Sequence, residues 1–220
     1  MAYQHRCKVI WTLHDCWAFT GHCIYFTCAG CTQWLTHCAA SAPCPQKGEY
    51  PKSWFAGDGS VRRNYDEKKR LFTLLPRDRL SLVTPSCWLA DLVAQSFLSK
   101  YSIKVVGNPV NTDVFKPTSS DFRRRFSIGN RFMVLGVASN WSNRKGLTDF
   151  DYLARELNEN DYAVVVVGLS KKQIARMPDQ LIALPRTNNL EELAAIYSSA
   201  DVLLNLSAEE TYGMNVAEAD

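Results

Sequence analysis

The sequence predicts an α/β fold built on parallel β-sheets. Apolar, β-branched runs of strand length alternate with segments of helical periodicity, as in proteins made of β–α–β units. Some of these runs are continuously apolar, such as "YAVVVVGL" (162–169), because helices cover both faces of a parallel sheet. With 220 residues, 46% of them hydrophobic and 21% charged, the chain is also large enough to bury a core.

The first half of the chain contains three predicted strands, at 8–15, 80–86 and 103–109. The second strand leads directly into a predicted helix at 87–98, and Ser86 stands where an N-cap belongs. Between the first two strands lies an irregular stretch, 16 to about 79, rich in Cys, Trp, Tyr and Pro. A stretch of that length is unusual inside a compact domain and tends to be functional.

A Pro/Asn/Asp-rich break at 108–117 predicts a linker between two domains, 1–115 and 116–220. The second domain repeats the alternation of strands and helices. Its predicted strands are 132–139, 162–169, 181–186 and 201–207, and its predicted helices are 146–158 and 189–200.

The net charge and the lack of a recognisable export signal limit which classes of function the sequence fits. The net charge of +3 is too small to indicate a nucleic-acid partner. Two basic clusters, 66–70 and 121–126, fit either solvated helix faces or a contact with an anionic membrane surface. No apolar run approaches the ~20 residues of a membrane span, and the N-terminus lacks the apolar region of a signal peptide. A cytoplasmic protein is therefore predicted, in which the eight cysteines are reduced or bind metal.

Two carboxylates bracket the loop that follows the last predicted strand. In "SAEETYGMNVAEAD" (207–220), Glu210 and Glu218 are separated by seven residues. Ligands of open α/β sheets bind at the carboxyl ends of strands, and carboxylates there accept hydrogen bonds from sugar hydroxyls. Gly213 permits a close backbone approach to a ligand. The alternative is structural: a glutamate at a helix start complements the helix dipole.

Further polar residues follow other strand ends. Arg144 and Lys145, in "SNWSNRKGL" (139–147), suit a diphosphate and would stabilise it as a leaving group, or they form an ordinary solvated turn. His14 closes the first strand, where it either binds substrate or bonds to nearby backbone.

Together these motifs resemble those of a known family. The segment "ADVLLNLSAEETYGMNVAEA" (200–219) resembles the Glu-x7-Glu signature of retaining glycosyltransferases of family 4. "TPSCWLAD" (84–91), "GNPVNTDVFKP" (107–117) and "RKG" (144–146) occur in the order of that family. "TLHDCWAFTGHC" (12–23) resembles its capsule and exopolysaccharide branch, including the colanic-acid type. The resemblance runs from about residue 8 onward and implies the GT-B fold of two facing Rossmann-like domains.

The resemblance also assigns roles to residues. Glu210 would hold hydroxyls of the donor sugar, and Glu218 the ribose hydroxyls of the nucleotide. Many members place an arginine five or six residues before the lysine, where this chain has Ser139 and Asn140. Arg144 would therefore substitute for it. The implied catalytic residues are Glu210, His14, Arg144 and Lys145, and the implied donor and nucleotide contacts are Glu218, Gly213, Met214, Asn215, Arg186 and Thr187.

By the resemblance, the protein would be a hexosyltransferase of surface polysaccharide biosynthesis. It would move a sugar from a nucleotide-diphosphate sugar to a hydroxyl of a saccharide or lipid-linked saccharide, with retention and through an oxocarbenium-like state. No catalytic metal is implied if Arg144 and Lys145 neutralise the phosphates, and peripheral contact with the inner membrane face is implied. Both GT-B domains would be incomplete in this chain, which would then be inactive alone. The alternative from another class is a non-catalytic nucleotide-sugar-binding module.

The cysteine-rich stretch carries a separate prediction. Cys28-x2-Cys31 has the spacing of metal ligands, but no second such pair follows. The resembling branch carries a similar insertion, which aligns best with Cys23, Cys31, Cys38 and Cys44. Two interpretations stay open: a structural zinc at these four residues, or unpaired buried thiols.

Overall fold

The computed structural model describes residues 7–46 and 57–220 and separates the chain into two compact units, Met1–Asn108 and Pro109–Asp220. The boundary predicted from sequence, between 115 and 116, lies a few residues inside the second unit. Each unit contains one parallel β-sheet. The predicted α/β class is therefore confirmed.

The first unit has a three-stranded sheet in the order β1-β2-β3. Its core strand is β2, where Leu82 is fully buried and lies in register with Trp11 and Ile103. The predicted strands are confirmed, each with shorter bounds. The elements are β1 (Val9–Thr12), α1 (Asp58–Phe72), β2 (Leu80–Thr84), α2 (Cys87–Gln95) and β3 (Ser102–Val105), with 3-10 turns at Trp17–Phe19, Gln33–Leu35 and Arg77–Arg79.

The N-cap predicted for α2 is confirmed. The backbone N–H of Leu89 donates to Ser86 Oγ at 3.3 Å and so satisfies one of the unpaired donors of the first turn. The helix ends at Gln95, earlier than predicted, because Ser96 takes an extended conformation and its hydroxyl accepts from the N–H of Leu98.

The sequence analysis anticipated α1 only through one interpretation of the basic cluster 66–70, a solvated helix face. It did not predict the extent of the helix, although its signal is present. Val61, Tyr65 and Phe72 recur at helical spacing, and the first two are buried. The preceding cysteine- and aromatic-rich residues obscured this periodicity. Within the described residues, the stretch from 16 to 79 is therefore interrupted by one α-helix, α1.

The basic cluster 66–70 lies on α1 and is not wholly a solvated face. Lys68 is 3% exposed, and its ammonium donates to the carbonyls of Trp17 at 2.7 Å and Thr20 at 2.9 Å. It also lies 3.6 Å from the centre of the Trp17 ring, a cation–π contact. Lys68 thus ties α1 to the loop after β1. None of the helices in the described part of the chain combines the length and apolar character needed to cross a membrane.

The second unit has a four-stranded parallel sheet in the order β6-β5-β4-β7. The predicted strands and helices are present, but the strand predicted at 201–207 pairs only over Val202–Leu203. The elements are α3 (Phe122–Arg125), β4 (Phe132–Val137), α4 (Leu147–Glu156), β5 (Tyr162–Val167), α5 (Lys171–Ile174), β6 (Leu181–Leu184), α6 (Leu190–Ser199), β7 (Val202–Leu203) and α7 (Met214–Ala219).

Alternate residues of the two central strands face opposite cores. Val134 and Val166 pack with Phe150 of α4, whereas Leu135 and Val165 pack in a separate core on the other face, with residues of α3 and α6. Because both faces are covered, the strands carry the continuous apolar runs that the sequence shows.

Asp201 fixes the start of β7 against β4. Its Oδ2 accepts from the Met133 N–H at 2.7 Å and forms an ion pair with Arg123. The Met133 bond, and then Arg123, lower the pKa of Asp201. This carboxylate therefore contributes stability above its ordinary pKa, and that contribution is lost as the pH falls through the lowered value.

The end of β5 passes very close to the loop after β4. Gly168 has a φ of +102°, and a Cβ atom built there would lie 1.8 Å from the Ala138 carbonyl oxygen. The Trp141 indole closes the same region by donating to the Val167 carbonyl at 2.7 Å. Only glycine fits this position.

Replacing this glycine should disrupt the second unit. Gly168→Ala is expected to lower the free energy of unfolding by about 3–5 kcal/mol, because backbone strain and a backbone clash add. Gly129→Ala is the matched control, since Gly129 also has a positive φ, +61°, but no atom within 4 Å of the new Cβ. It should cost only about 1–2 kcal/mol. Urea unfolding measures both, and equal losses would contradict the clash.

Candidate functional site

The topology of the second sheet creates a reversal at the carboxyl edge of β4. From β4 the chain adds β5 and β6 on one side, and then α6 returns it to β7 on the other side. In open α/β sheets, ligands bind where the strand order reverses in this way, outside the carboxyl ends of the strands. The loops after β4 and β7 meet at this point.

Lys145 and Glu210, both predicted as site residues, form an ion pair there. Lys145 ends a 3-10 turn, Asn143–Lys145, after β4, and Glu210 lies in the loop after β7. Their side chains are 22% and 25% exposed. The pair is thus buried enough for its charges to interact more strongly than in bulk water, and open enough for a ligand to reach.

The two loops are also joined through Arg144 and by a close backbone approach. Arg144 Nη1 donates to the Glu209 carbonyl at 2.9 Å, and the Arg144 carbonyl accepts from the Ala208 N–H at 2.9 Å. Gly146 has a φ of +79°, and a Cβ there would lie 2.5 Å from the Leu206 Cβ. These contacts place Arg144 and Lys145 side by side at the edge of the sheet.

The turn into α7 is fastened to the end of β4. Gly213 has a φ of +77°, and Met214 begins α7. The side chain of Asn215 donates from Nδ2 to the Val137 carbonyl at 3.1 Å. The sequence predicted a role for the backbone of these three residues and missed this side-chain contact.

Glu218 is the fifth residue of α7, which begins at Met214. The Tyr197 hydroxyl, from α6, donates to Glu218 Oε2 at 3.1 Å. Burial raises the pKa of Glu218, and the bond from Tyr197 partly opposes the rise. Tyr197 was missed because its position in α6 carries no motif.

Three further predicted residues lie elsewhere. Arg186 and Thr187 follow β6, at the same edge of the sheet but with β5 between β6 and β4. Arg186 is exposed and Thr187 half-buried. His14 belongs to the first unit, where it follows β1 and is exposed.

The four cysteines of the zinc prediction line one cavity in the first unit, with a volume of about 10 Å³. They are Cys23, Cys31, Cys38 and Cys44, whereas Cys28 is exposed and lies outside the lining. Burial raises the pKa of Cys38 to about 11. As placed within residues 7–46 and 57–220, no three His, Cys, Asp or Glu side chains already form a metal-binding group.

Comparison with known proteins gives related glycosyltransferases. No protein-family model matches the chain. It is 27% identical to the alpha-galactosylglucosyldiacylglycerol synthase of Streptococcus pneumoniae, over 69% of this chain and 44% of that protein. Anabaena HepE in complex with UDP-glucose matches 99% of this chain and 52% of its own, with a TM-score of 0.59 and 18% identity. Sucrose-phosphate synthase of Thermosynechococcus elongatus matches 70% of this chain and 41% of its own, with a TM-score of 0.55 and 16% identity.

These likenesses confirm the fold predicted from the sequence: α/β, with the parallel sheets of GT-B glycosyltransferases. The chain spans less than half the length of its curated relative and about half the length of HepE.

From the contact between Tyr197 and Glu218 we predict how the pKa of Glu218 changes when the tyrosine hydroxyl is removed. Tyr197→Phe should raise the pKa of Glu218 further, because it removes the hydrogen bond that favours the charged carboxylate. Since the folded pKa lies above the ordinary value, Glu218 lowers stability as the pH rises through that window, and the variant should enlarge this fall. Carbon-detected NMR titration measures the pKa. Tyr152→Phe, at an exposed tyrosine of α4, is the control. An unchanged or lower pKa in Tyr197→Phe would show that the bond does not act on Glu218.

Proposed function

We propose that this protein is a retaining glycosyltransferase of family 4, from the capsule and exopolysaccharide branch. It transfers a hexose from a nucleotide-diphosphate sugar to a hydroxyl of a saccharide or lipid-linked saccharide acceptor. The observation that carries the proposal is the pairing of Lys145 with Glu210 where the strand order reverses. A sugar diphosphate presents phosphate oxygens next to sugar hydroxyls. The arrangement matches it, because a cation that can bind the phosphate lies beside a carboxylate that can accept from the hydroxyls.

The ion pair is suited to being replaced by a donor. Both side chains remain partly exposed, so an incoming donor can reach and replace each partner of the pair. A phosphate oxygen then takes the place of the carboxylate at Lys145, in a charge-assisted hydrogen bond. Glu210 in turn accepts from hydroxyls of the sugar. Without a donor, Lys145 and Glu210 therefore balance each other's charge. With a donor bound, the phosphate balances Lys145 and the sugar hydroxyls bond to Glu210.

The cations assist the reaction by stabilising the leaving group. As the bond from the anomeric carbon to the phosphate oxygen breaks, negative charge develops on the nucleoside diphosphate, and Lys145 and Arg144 neutralise it. The acceptor hydroxyl attacks the anomeric carbon from the same face through an oxocarbenium-like state. Its proton passes to the departing phosphate oxygen, and the configuration is retained. Arg144 is well held for this role because its guanidinium bonds to the Glu209 carbonyl.

Other predicted residues complete the donor site in this proposal. Glu218, which is held by the Tyr197 hydroxyl, accepts hydrogen bonds from the ribose hydroxyls. The turn at Gly213, Met214 and Asn215 lines the diphosphate, and Arg186 and Thr187 lie towards the base. His14, of the first unit, is the remaining catalytic residue of the proposal.

The relatives support the choice of donor and acceptor. HepE is described in complex with UDP-glucose, and the pneumococcal relative is named as a synthase of a glycolipid. We therefore propose a UDP- or GDP-sugar donor and a lipid-linked acceptor. The reaction would take place at the cytoplasmic side of the inner membrane, with peripheral contact, as a step of surface polysaccharide biosynthesis.

Removing the positive charge at position 145 tests the proposal. Lys145→Met is expected to lower kcat/KM for release of UDP from UDP-glucose by about 10²–10³-fold, because it removes stabilisation of the developing charge. Lys145→Arg keeps the charge with different geometry and should lose about tenfold or less. The assay uses the natural-length polypeptide that carries this sequence, with NMR of the product to establish whether the anomeric configuration is retained.

Surface variants serve as controls. Lys171→Met and Glu191→Gln change exposed charges of α5 and α6 and should leave release unchanged, whereas Glu210→Gln should reduce it as Lys145→Met does. Thermal unfolding midpoints establish that each variant is folded. Tight UDP-glucose binding without any UDP release would instead favour a non-catalytic binding module. An inverted product would contradict retention.

A further inference from the structure

The irregular segment after β1 brings four cysteines to the lining of one small cavity. Cys23, Cys31, Cys38 and Cys44 come from separate points along the segment, yet all line the same space. The Cys23 and Cys44 thiols hydrogen-bond to each other. The cavity volume of about 10 Å³ is close to that needed for a single water-sized occupant. One ion therefore matches the space better than an organic ligand does.

Two neighbours of Cys38, the Gly21 N–H and the Lys68 ammonium, favour a negatively charged sulfur, although burial opposes it. The backbone N–H of Gly21 donates to Cys38 Sγ at 3.3 Å. Gly21 has no room for a side chain, since a Cβ there would lie 2.6 Å from the Val61 carbonyl oxygen and 2.9 Å from the Cys38 Cβ. This lack of a side chain is what lets the N–H approach the sulfur so closely.

A buried cation lies beside the same cluster. The ammonium group of Lys68, on α1, is held by the carbonyls of Trp17 and Thr20. Its charge acts favourably on both Cys23 and Cys38. A buried lysine normally requires a compensating negative charge. Asp15 supplies part of it. Four thiolates around a divalent ion would add a net charge of −2.

We propose that Cys23, Cys31, Cys38 and Cys44 bind one structural Zn²⁺ ion in a tetrahedral site of four sulfurs. Each Zn–S bond forms as an S–H proton leaves to solvent, so a divalent ion replaces up to four protons. Zinc–sulfur bonds are about 2.3 Å long, which places the sulfurs roughly 3.8 Å apart. Because the thiols do not yet converge as a metal-binding group, the ion has to draw their side chains inward.

The site would stabilise a segment that has little regular structure. Across the described residues 13–46, the helical or strand content is limited to the 3-10 turns Trp17–Phe19 and Gln33–Leu35. The three aromatic rings of Phe19, Phe26 and Trp34 form a small core there. A metal that joins four points of the segment fixes it without a hydrogen-bonded ladder.

A disulfide between Cys23 and Cys44 is the competing chemistry. It would use two of the four thiols and would leave Cys31 and Cys38 around the cavity without a role. It would also leave no thiolate from Cys23 to compensate the charge of Lys68. The shared cavity and the buried cation both favour zinc, and this inference does not depend on the proposed sugar transfer.

Metal analysis tests the site directly. Protein purified without chelator is expected to contain about one zinc ion per chain by mass spectrometry, as a closed four-cysteine site requires. Cys38→Ser should lose the metal, whereas Cys28→Ser, at the exposed cysteine outside the cavity, should keep it. Zinc retained by Cys38→Ser, or lost equally from both variants, would overturn the ligand set.

A measurement on the unmodified protein covers the case in which Cys38→Ser fails to fold. Iodoacetamide labelling with peptide mass spectrometry should show these four thiols protected until a chelator removes the metal, and cobalt substitution should give the absorption bands of tetrahedral thiolate ligation. The proposal would be overturned if the protein contained only trace zinc and iodoacetamide labelled the four thiols before any chelator was added. A Cys23–Cys44 disulfide in the peptides would overturn it in favour of redox chemistry.

Discussion

The parallel pairing of β4 on both of its edges is the constraint on which the second unit depends. Because β5 and β7 flank the same strand in the same direction, the loops after β4 and β7 must leave side by side. β7 pairs over only two residues, and Asp201 adds a polar anchor at its start by bonding the Met133 N–H and Arg123. The meeting of Lys145 with Glu210 is thus a consequence of strand order, secured by a polar anchor at the opposite end of the strand.

At the carboxyl edge of the second sheet, the loops after β4 and β7 pack closely while their charged side chains stay accessible. Gly146 lets the backbone of one loop contact Leu206 of the other, and Arg144 bonds across them to the Glu209 carbonyl. These contacts leave the loops little freedom to separate. The ion pair of Lys145 above them stays partly exposed. A site of this kind holds its charges in place before a ligand arrives, which reduces the ordering cost of binding.

The sequence predicted what local patterns determine. The strands, the order of helices and the Ser86 cap follow from runs of apolar residues and from one hydroxyl at a helix start. It overextended the last strand, because the apolar run continues past the two residues that pair. It missed Tyr197 and the inward position of Lys68, since both depend on contacts with residues distant in the chain. The pairing of Lys145 with Glu210, across 65 residues, became predictable only through the strand order.

Lys68 also explains why the cysteine segment cannot be understood from its thiols alone. Burial lowers the pKa of Lys68 to about 8, while Cys38, Asp15 and Cys23 oppose that fall. Since it stands on α1 and bonds to the loop after β1, its charge joins the irregular segment to regular structure. With neutral thiols, Asp15 and the two carbonyls are what compensate that buried charge, whereas thiolates around a metal would add to the compensation. The stability of the segment and the charge state of its sulfurs are therefore coupled through one lysine.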